Sequence, residues 1–286
     1  MKYLILGSSG FIGSDIKERL LLDGAEVIAP RRDDVDLSSN GAASKLASYI
    51  DSDTHLIFCA GIKRQLGDNF RNYIQNERIT SNLCEALSVN KPKHLLFLST
   101  AAVYGENDFG GVDITERNAL VPSSYYSISK INSENILSKI SEEFQFPTCF
   151  ARIPLVYGRG DRSLGYGPTG FCYRAARGEE IVIWGDGQEL REFLWIEDLA
   201  RICVELSMRR VGGSINTVSG QSYSFAQVLD ILRRVSRKPI RVTFKPRTKE
   251  RSDVRFSPIL LQKTLGYFSF TPLDDGVLSL YKQFSS

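Results

Sequence analysis

The first thirteen residues, MKYLILGSSGFIG, constrain this chain more than any other stretch. Residues 3–6 (YLIL) are an unbroken apolar run, short enough for one strand buried on both faces. Gly7, Gly10 and Gly13 follow at a spacing of three, and an amphipathic segment opens at once with Phe11, Ile12, Ile16 and Leu20. The glycines therefore stand where a strand turns into a helix. Gly7 allows the tight turn, Gly10 lets backbone N–H groups approach a pyrophosphate, and Gly13 lets the helix pack closely on the strand. The helix N-terminus then offers free N–H groups and the positive end of its dipole. This junction predicts a dinucleotide site, with Phe11 and Ile12 beside the glycines as cofactor contacts. A tight turn without a ligand is the competing reading, and the position at a strand–helix junction favours the site.

With 286 residues, 42% of them hydrophobic, the chain can build one large domain or two interlocked ones. Its net charge of +3 is too small to imply a nucleic-acid partner, although it suits an anionic ligand. Cysteines 59, 84, 149, 172 and 203 are scattered with no C-x-x-C pair, which reads as reduced, mostly buried thiols of a cytosolic protein. His55 and His94 each precede an apolar run and read as strand-entry residues, so no metal site is expected. No apolar run reaches membrane-spanning length, and the N-terminus enters a strand with no signal-peptide pattern. A cytoplasmic location without a membrane partner is the expectation.

Residues 26–30 (EVIAP) read as a second strand, followed by Arg31-Arg32-Asp33-Asp34. The end of this strand is where a cofactor ribose is read: an acid binds a free 2′-hydroxyl, an arginine a 2′-phosphate. Arg31 is the first position past the strand, so NADP(H) is favoured over NAD(H). The alternative is a solvated arginine pair, with Asp33 or Asp34 taking the ribose. Asp36-Leu37 is expected at the adenine edge. Residues 55–61 (HLIFCAG) form another strand, whose small end residues Ala60 and Gly61 let a cofactor lie close. A helix over 70–89 carries Asn76, Thr80 and Asn82, and a strand follows over 93–98. This alternation predicts an α/β fold, a Rossmann-like doubly wound parallel sheet with its ligand beyond the C-terminal strand ends.

The 93–98 strand runs into Ser99-Thr100-Ala101-Ala102-Val103-Tyr104-Gly105, and Tyr125-Tyr126-Ser127-Ile128-Ser129-Lys130 opens a helix further on. Tyr126 and Lys130 are four apart and share a helix face. A lysine beside a phenol favours phenolate and brings the tyrosine pKa toward working pH, which makes Tyr126 a usable general acid or base. Tyr125 has no lysine at that spacing. Thr100, at a strand end, can hold the same substrate oxygen. A lone Y-x-x-x-K is ordinarily just a helix pair; here a hydroxyl-rich strand end and a glycine fingerprint stand upstream of it in order.

With these motifs the chain resembles the extended short-chain dehydrogenase/reductases of the nucleotide-sugar epimerase, reductase and dehydratase group. The resemblance spans nearly the whole length: GSSGFIG, Asn76 with Thr80, STAAVYG, YYSISK, RIPLVYG at 152–158, GDGQELREFLWIEDLA at 185–200, INTVSG at 215–220 and the final RSDVRFSPILLQKTLGY. It implies a catalytic set of Thr100, Tyr126 and Lys130, with Lys130 also on the cofactor, Asn76 positioning Lys130 through water, and Arg191 on a diphosphate. Thr100, Ala101, Tyr126, Arg191 and Arg251 are the implied substrate contacts. Dehydratases of the group carry an acidic pair directly after the threonine; Ala101 and Ala102 stand there, which disfavours dehydration. The family's arginine-to-aspartate spacing has one more residue than Arg251-Ser252-Asp253, which leaves the role of Arg251 open.

The expected division is residues 1–158 with 190–220 as the NAD(P)-binding domain. Residues 159–189 with 221–286 form a smaller C-terminal α/β substrate-binding lid. In that lid Arg159-Gly160-Asp161-Arg162 and Gly165 to Gly170 read as a turn-rich substrate loop. Ser224 is the N-cap of an amphipathic helix over 224–234, and 240–244 is a short strand. A solvated basic face is the competing reading for Arg159, Arg162, Arg247 and Arg251. The expected activity is hydride transfer from NADPH to a keto carbon of a nucleotide sugar, at C4, with Tyr126 as proton donor. The alternative is a 4-epimerase using the same residues, and a remote one is a non-enzymatic NADP-binding protein. The helices near 70–89 and 124–140 resemble the pair that forms a four-helix dimer interface in this family, so a homodimer is expected.

Overall fold

In the computed structural model the described residues are 1–105, 109–162, 164, 167–236, 238–247 and 250–286. They divide into two compact units. The first comprises Met1–Glu106, Glu116–Ile153 and Ala200–Thr217, and the second Asn107–Thr115, Pro154–Leu199 and Val218–Ser286.

The first unit is built on a six-stranded parallel sheet in the order β2-β1-β3-β4-β5-β9. Its strands are β1 (Lys2–Leu6), β2 (Glu26–Ile28), β3 (Thr54–Phe58), β4 (His94–Thr100), β5 (Thr148–Ile153) and β9 (Gly213–Asn216). Every residue of β3, β4 and β5 is buried, as expected of apolar strands covered by helices on both faces. The helices are α1 (Phe11–Leu22), α2 (Ala42–Ala47), α3 (Phe70–Val89) and α4 (Tyr125–Phe144). Leu83 and Leu87 of α3 and Leu137 of α4 pack with Phe58, Phe97 and Phe150 in one cluster on the sheet. The strand order reverses at β1 and β3, the switch point at which open α/β sheets bind ligands.

His55 and His94 enter β3 and β4. They bond the Ser207 and Val211 carbonyls at 3.0 and 2.9 Å, and burial holds His94 neutral by lowering its pKa to about 4. All five cysteines are free thiols, four of them buried. Strand β2 stops at Ile28, short of the expected residue 30, because Pro30 has no N–H for the ladder. Among the described residues no helix is long and apolar enough to cross a membrane, and no three His, Cys, Asp or Glu side chains cluster as metal ligands.

The second unit holds a three-stranded sheet, β10-β8-β6, from β6 (Leu155–Tyr157), β8 (Leu190–Trp195) and β10 (Ser222–Ser224). A parallel pair joins β7 (Ile181–Trp184) to β11 (Val242–Lys245). Helices α5 (Gly167–Arg177), α7 (Phe225–Val235) and α9 (Leu273–Ser285) pack together, and α8 (Ile259–Leu265) precedes α9. Helix α6 (Ile196–Met208) is divided between the units. Ser224 caps α7 through a reciprocal capping box with Gln227.

The boundaries differ from those expected. Residues 107–115, 154–158, 190–199 and 218–220 belong to the second unit, not the first. Pro154 interrupts the run RIPLVYG, so β5 stays in the six-stranded sheet while β6 pairs with β8. Gly165, in the expected substrate loop, lies outside the described residues.

Candidate active site

Steric demands shape the glycine turn. Gly7 has φ +89°, and a Cβ there would lie 2.7 Å from the Ala60 amide nitrogen. A Cβ on Gly13 would stand 2.2 Å from the Gly7 carbonyl oxygen, so α1 can sit this close to β1 only with glycine. Gly10 is the N-cap of α1, and no side chain caps the helix. Its first N–H groups are thus left for an anion.

A cavity of about 360 Å³ opens beside this turn. Gly7, Gly10, Arg32, Asp36, Leu37, Ala60 and Gly61 line it, seven of the expected cofactor residues. Phe11, Ile12, Gly13, Arg31 and Lys130 are not among its lining residues. Sequence reasoning missed Ser9, Val35, Ser38, Cys59, Ile62, Gln75 and Ile79, which also line it. Adjacency was the available signal for five of them: Ser9 precedes Gly10, Val35 precedes Asp36, Ser38 follows Leu37, and Cys59 and Ile62 flank Ala60-Gly61. Arg32 donates from Nε and its terminal nitrogen to Asp36 Oδ2, both at 3.1 Å. Asp36 Oδ1 accepts the Ser38 amide and hydroxyl, and these bonds, ahead of Arg32, hold its carboxyl below the usual range. Asp34 accepts the Arg31 amide at 2.8 Å, closing the turn after β2. An uncapped helix end, a cradle that a Cβ would fill, and a guanidinium at the β2 end together fit a nicotinamide dinucleotide.

The expected catalytic residues lie in the same unit. Thr100 ends β4, and its hydroxyl oxygen accepts the Ala102 amide at 3.2 Å. Ala101 and Ala102 begin a single 3₁₀ turn, so no acid follows Thr100. Ser124 and Ser127 form a capping box that starts α4 at Tyr125. This start separates the two tyrosines. The Tyr125 ring is exposed and meets Phe70 and Tyr73 at 6.2 and 6.3 Å. Tyr126 is half-buried, with the Thr100 side chain as its polar neighbour. Asn76, buried on α3, clamps Ile62 through its amide (2.7 Å) and carbonyl (3.1 Å). A Cβ on Gly61 would lie 3.6 Å from Asn76 Oδ1 and 3.9 Å from Lys130 Nζ. The cavity wall at Gly61 is therefore where Asn76 and Lys130 meet.

The electrostatics correct one expectation. Lys130 does not bring the phenol down. Burial pushes Tyr126 up to about 12, and only the Thr100 side chain opposes this. Lys130 donates to the Leu98 carbonyl at 2.7 Å, its Nζ is 5.9 Å from the Tyr126 ring centroid, and burial lowers its own pKa to about 8. Tyr126 is a neutral O–H donor at pH 7, not a phenolate. Behind it, Glu134 and Arg152 form a buried ion pair at 2.7 Å, and Glu134 also accepts the Ser99 hydroxyl.

In the second unit Arg191 bonds the Leu190 and Ser252 carbonyls and pairs with Glu189 at 3.1 Å. Arg247 pairs with Asp186 at 2.7 Å and stands 3.6 Å from the same Glu189 oxygen. Arg251 pairs with Asp253 at 2.8 Å and bonds the Gln188 carbonyl at 3.0 Å. Each of these three arginines is set among acids or carbonyls, and Arg251 is exposed. A groove of about 880 Å³ in this unit is lined by Phe193, Trp195, Tyr223 and Phe270 among others, and neither Arg191 nor Arg251 lines it. Glu192 is a residue sequence reasoning missed. It is buried, its Oε1 accepts the Ser219 hydroxyl and the Ser219 and Gly220 amides, and burial raises its pKa to about 7. A charged residue inside the run LREFLW was its only signal.

Comparison with known proteins supports the fold. A protein of Bacillus subtilis (strain 168) described as the uncharacterized UDP-glucose epimerase YtcB is 24% identical over 100% of this chain and 98% of its own length. A dTDP-4-dehydro-6-deoxy-D-allose reductase of Streptomyces bikiniensis is 26% identical over 85% of this chain and 83% of its own. The fold matches the crystal structure of the Thermus thermophilus UDP-glucose 4-epimerase in complex with NAD, with a TM-score of 0.85 at 23% identity over 99% of both chains. The family model for the NAD dependent epimerase/dehydratase family matches residues 3–217, and this chain is an enzyme of that family.

Proposed function

We propose that this enzyme is an NADP-dependent reductase of a nucleotide-activated keto sugar, acting at C4. The observation that supports this most is the state of Tyr126: a half-buried phenol kept neutral by desolvation, with Thr100 beside it. A reduction needs an acid at the carbonyl oxygen, and a protonated phenol is that acid. The cavity beside Gly7 would hold NADPH, which would supply the hydride for the keto carbon and leave as NADP⁺. Tyr126 gives its proton to the oxygen, which becomes a hydroxyl. The Thr100 hydroxyl donates to that oxygen, and the Lys130 ammonium offsets the phenolate charge left behind. Arg191 serves the substrate diphosphate. Ala101 and Ala102 leave no acid or base for an elimination.

The arginine after β2 supports NADP. Arg32 lines the cavity and is oriented by Asp36, whereas Arg31 does not line it. Arg32→Ala is expected to weaken NADPH roughly ten- to a hundredfold, the worth of one charge-assisted bond, with NADH little changed and Arg31→Ala mild. Titration by cofactor fluorescence reads this; equal losses for both cofactors contradict the assignment.

A 4-epimerase is the second reading, favoured by the epimerase named among the relatives that span the whole chain. Two assays separate them: NADPH consumption with dTDP-4-dehydro-6-deoxy-D-glucose, and conversion of UDP-glucose to its 4-epimer. The reductase reading expects the first, with protein purified free of cofactor. Tightly bound NAD(H) and activity only in the second overturn it.

The enzyme pairs as a homodimer in this proposal. Phe70, Tyr125, Ile128 and Ile136 on α3 and α4 are exposed apolar side chains in need of cover. Light scattering at micromolar concentration should give twice the chain mass, and a monomer refutes it.

A further inference from the structure

The segment between β3 and α3 is tied down at both ends by asparagines. Asn76 holds Ile62 by its amide and carbonyl. At the far end Asn69 caps α3 by accepting the Asn72 amide, and the Asn72 side chain donates to the Gly67 carbonyl at 2.7 Å. Gly67 stands between them at φ +123°, a backbone conformation that favours glycine. From this braced bend Asp68 reaches across to α4. Its Oδ1 accepts the Tyr126 backbone amide at 3.1 Å, and its Oδ2 stands 3.9 Å from Arg64 Nε. Tyr126 is the second residue of α4, so its amide is one of those that no helical carbonyl can satisfy. The capping box at Ser124 serves the amide of Ser127.

We infer that Asp68 is a positioning residue for the reaction: the braced segment 62–69 uses its carboxylate to hold the Tyr126 backbone where the phenol meets Thr100. This rests on the reading of Tyr126 as proton donor. Ile62 lines the cofactor cavity. The same segment thus forms cavity wall at one end and fixes the proton donor at the other. An acid at this place also faces the positive end of the α4 dipole. The chemistry depends on the phenol being held to a fraction of an ångström, because misplacement by about 1 Å costs on the order of a hundredfold in rate.

The test compares Asp68→Ala, which removes the acceptor, with Asp68→Asn, which keeps an acceptor oxygen at the same reach. Two readouts are used. Amide hydrogen exchange at Tyr126 needs no substrate. Steady-state kinetics use dTDP-4-dehydro-6-deoxy-D-glucose with NADPH and UDP-glucose with NAD. The expected result is faster exchange at Tyr126 in Asp68→Ala. Its kcat should fall between about tenfold and a hundredfold, with KM and NADPH affinity unchanged. Asp68→Asn should restore most of both. Wild-type exchange and kcat in Asp68→Ala overturn the inference. So do equal losses in cofactor affinity, KM and thermal midpoint, which mark a general structural role. If wild-type protein turns over neither probe, or Tyr126→Phe is fully active, the functional reading fails instead. Exchange at Tyr126 then still decides whether Asp68 holds this amide.

Discussion

Tyr126→Phe is expected to lower turnover by roughly 10²–10⁴-fold, the contribution of a positioned general acid, while cofactor affinity stays nearly unchanged. The substitution removes only the hydroxyl beside Thr100. The ring stays in place, so the cavity beside Gly7 and the packing of α4 are undisturbed. Tyr125→Phe is the control: its ring faces Phe70 and Tyr73, and it should do little to the chemical step. Lys130→Met should differ from both by damaging cofactor binding as well as rate, since Lys130 stands at the Gly61 wall. The pH profile adds a check. In the reductive direction the neutral phenol is the active form and persists to about 12, so the alkaline limb should turn near 8, where the Lys130 ammonium is lost. Loss of turnover in the Tyr125 variant with retention in the Tyr126 variant means that the active site has been assigned one residue out of place.

Arg152→Met is expected to destabilise the fold by about 3–5 kcal/mol, read from the urea midpoint, because it strands a buried carboxylate. Glu134 and Arg152 each retain only 6% of side-chain exposure, and Arg152 makes three contacts with the Glu134 carboxylate. The guanidinium also donates to the Tyr104 hydroxyl at 3.0 Å, which itself donates to Asn216 at 2.8 Å. Removing the cation therefore leaves Glu134 with the Ser99 hydroxyl alone among these partners. A second change, Glu134→Gln in the same chain, should return a large part of the loss, because the stranded charge and not the missing contact is the larger cost. A loss under about 1 kcal/mol in the single variant is what an exposed pair gives, and would show that water reaches this one.

Short-range physics explains what could be read in advance. Three glycines at a strand–helix junction admit few conformations, and Gly7 and Gly13 sit where any side chain would collide with backbone. Apolar runs such as HLIF and HLLFL read as strands and are buried throughout. Ser224 begins α7 because its side-chain oxygen can serve an amide three residues on. These are properties of neighbouring residues, so the parallel sheet and the order of the motifs along it were legible.

The charge state of the site was not, because it depends on residues far away in the chain. Spacing placed Lys130 beside Tyr126, yet the ammonium turns to the Leu98 carbonyl, 32 residues earlier, and burial raises the phenol instead. Two arginines follow β2, and only the way the turn closes on Asp34 and Asp36 puts Arg32, not Arg31, on the cavity. Arg191 meets Ser252, and Arg251 meets Gln188, across more than sixty residues. The sequence by itself determined the fold class and the chemical groups on offer, since sterics and periodicity act over a few residues. Tertiary structure alone decided their protonation and partners, since desolvation and Coulomb interactions act through space.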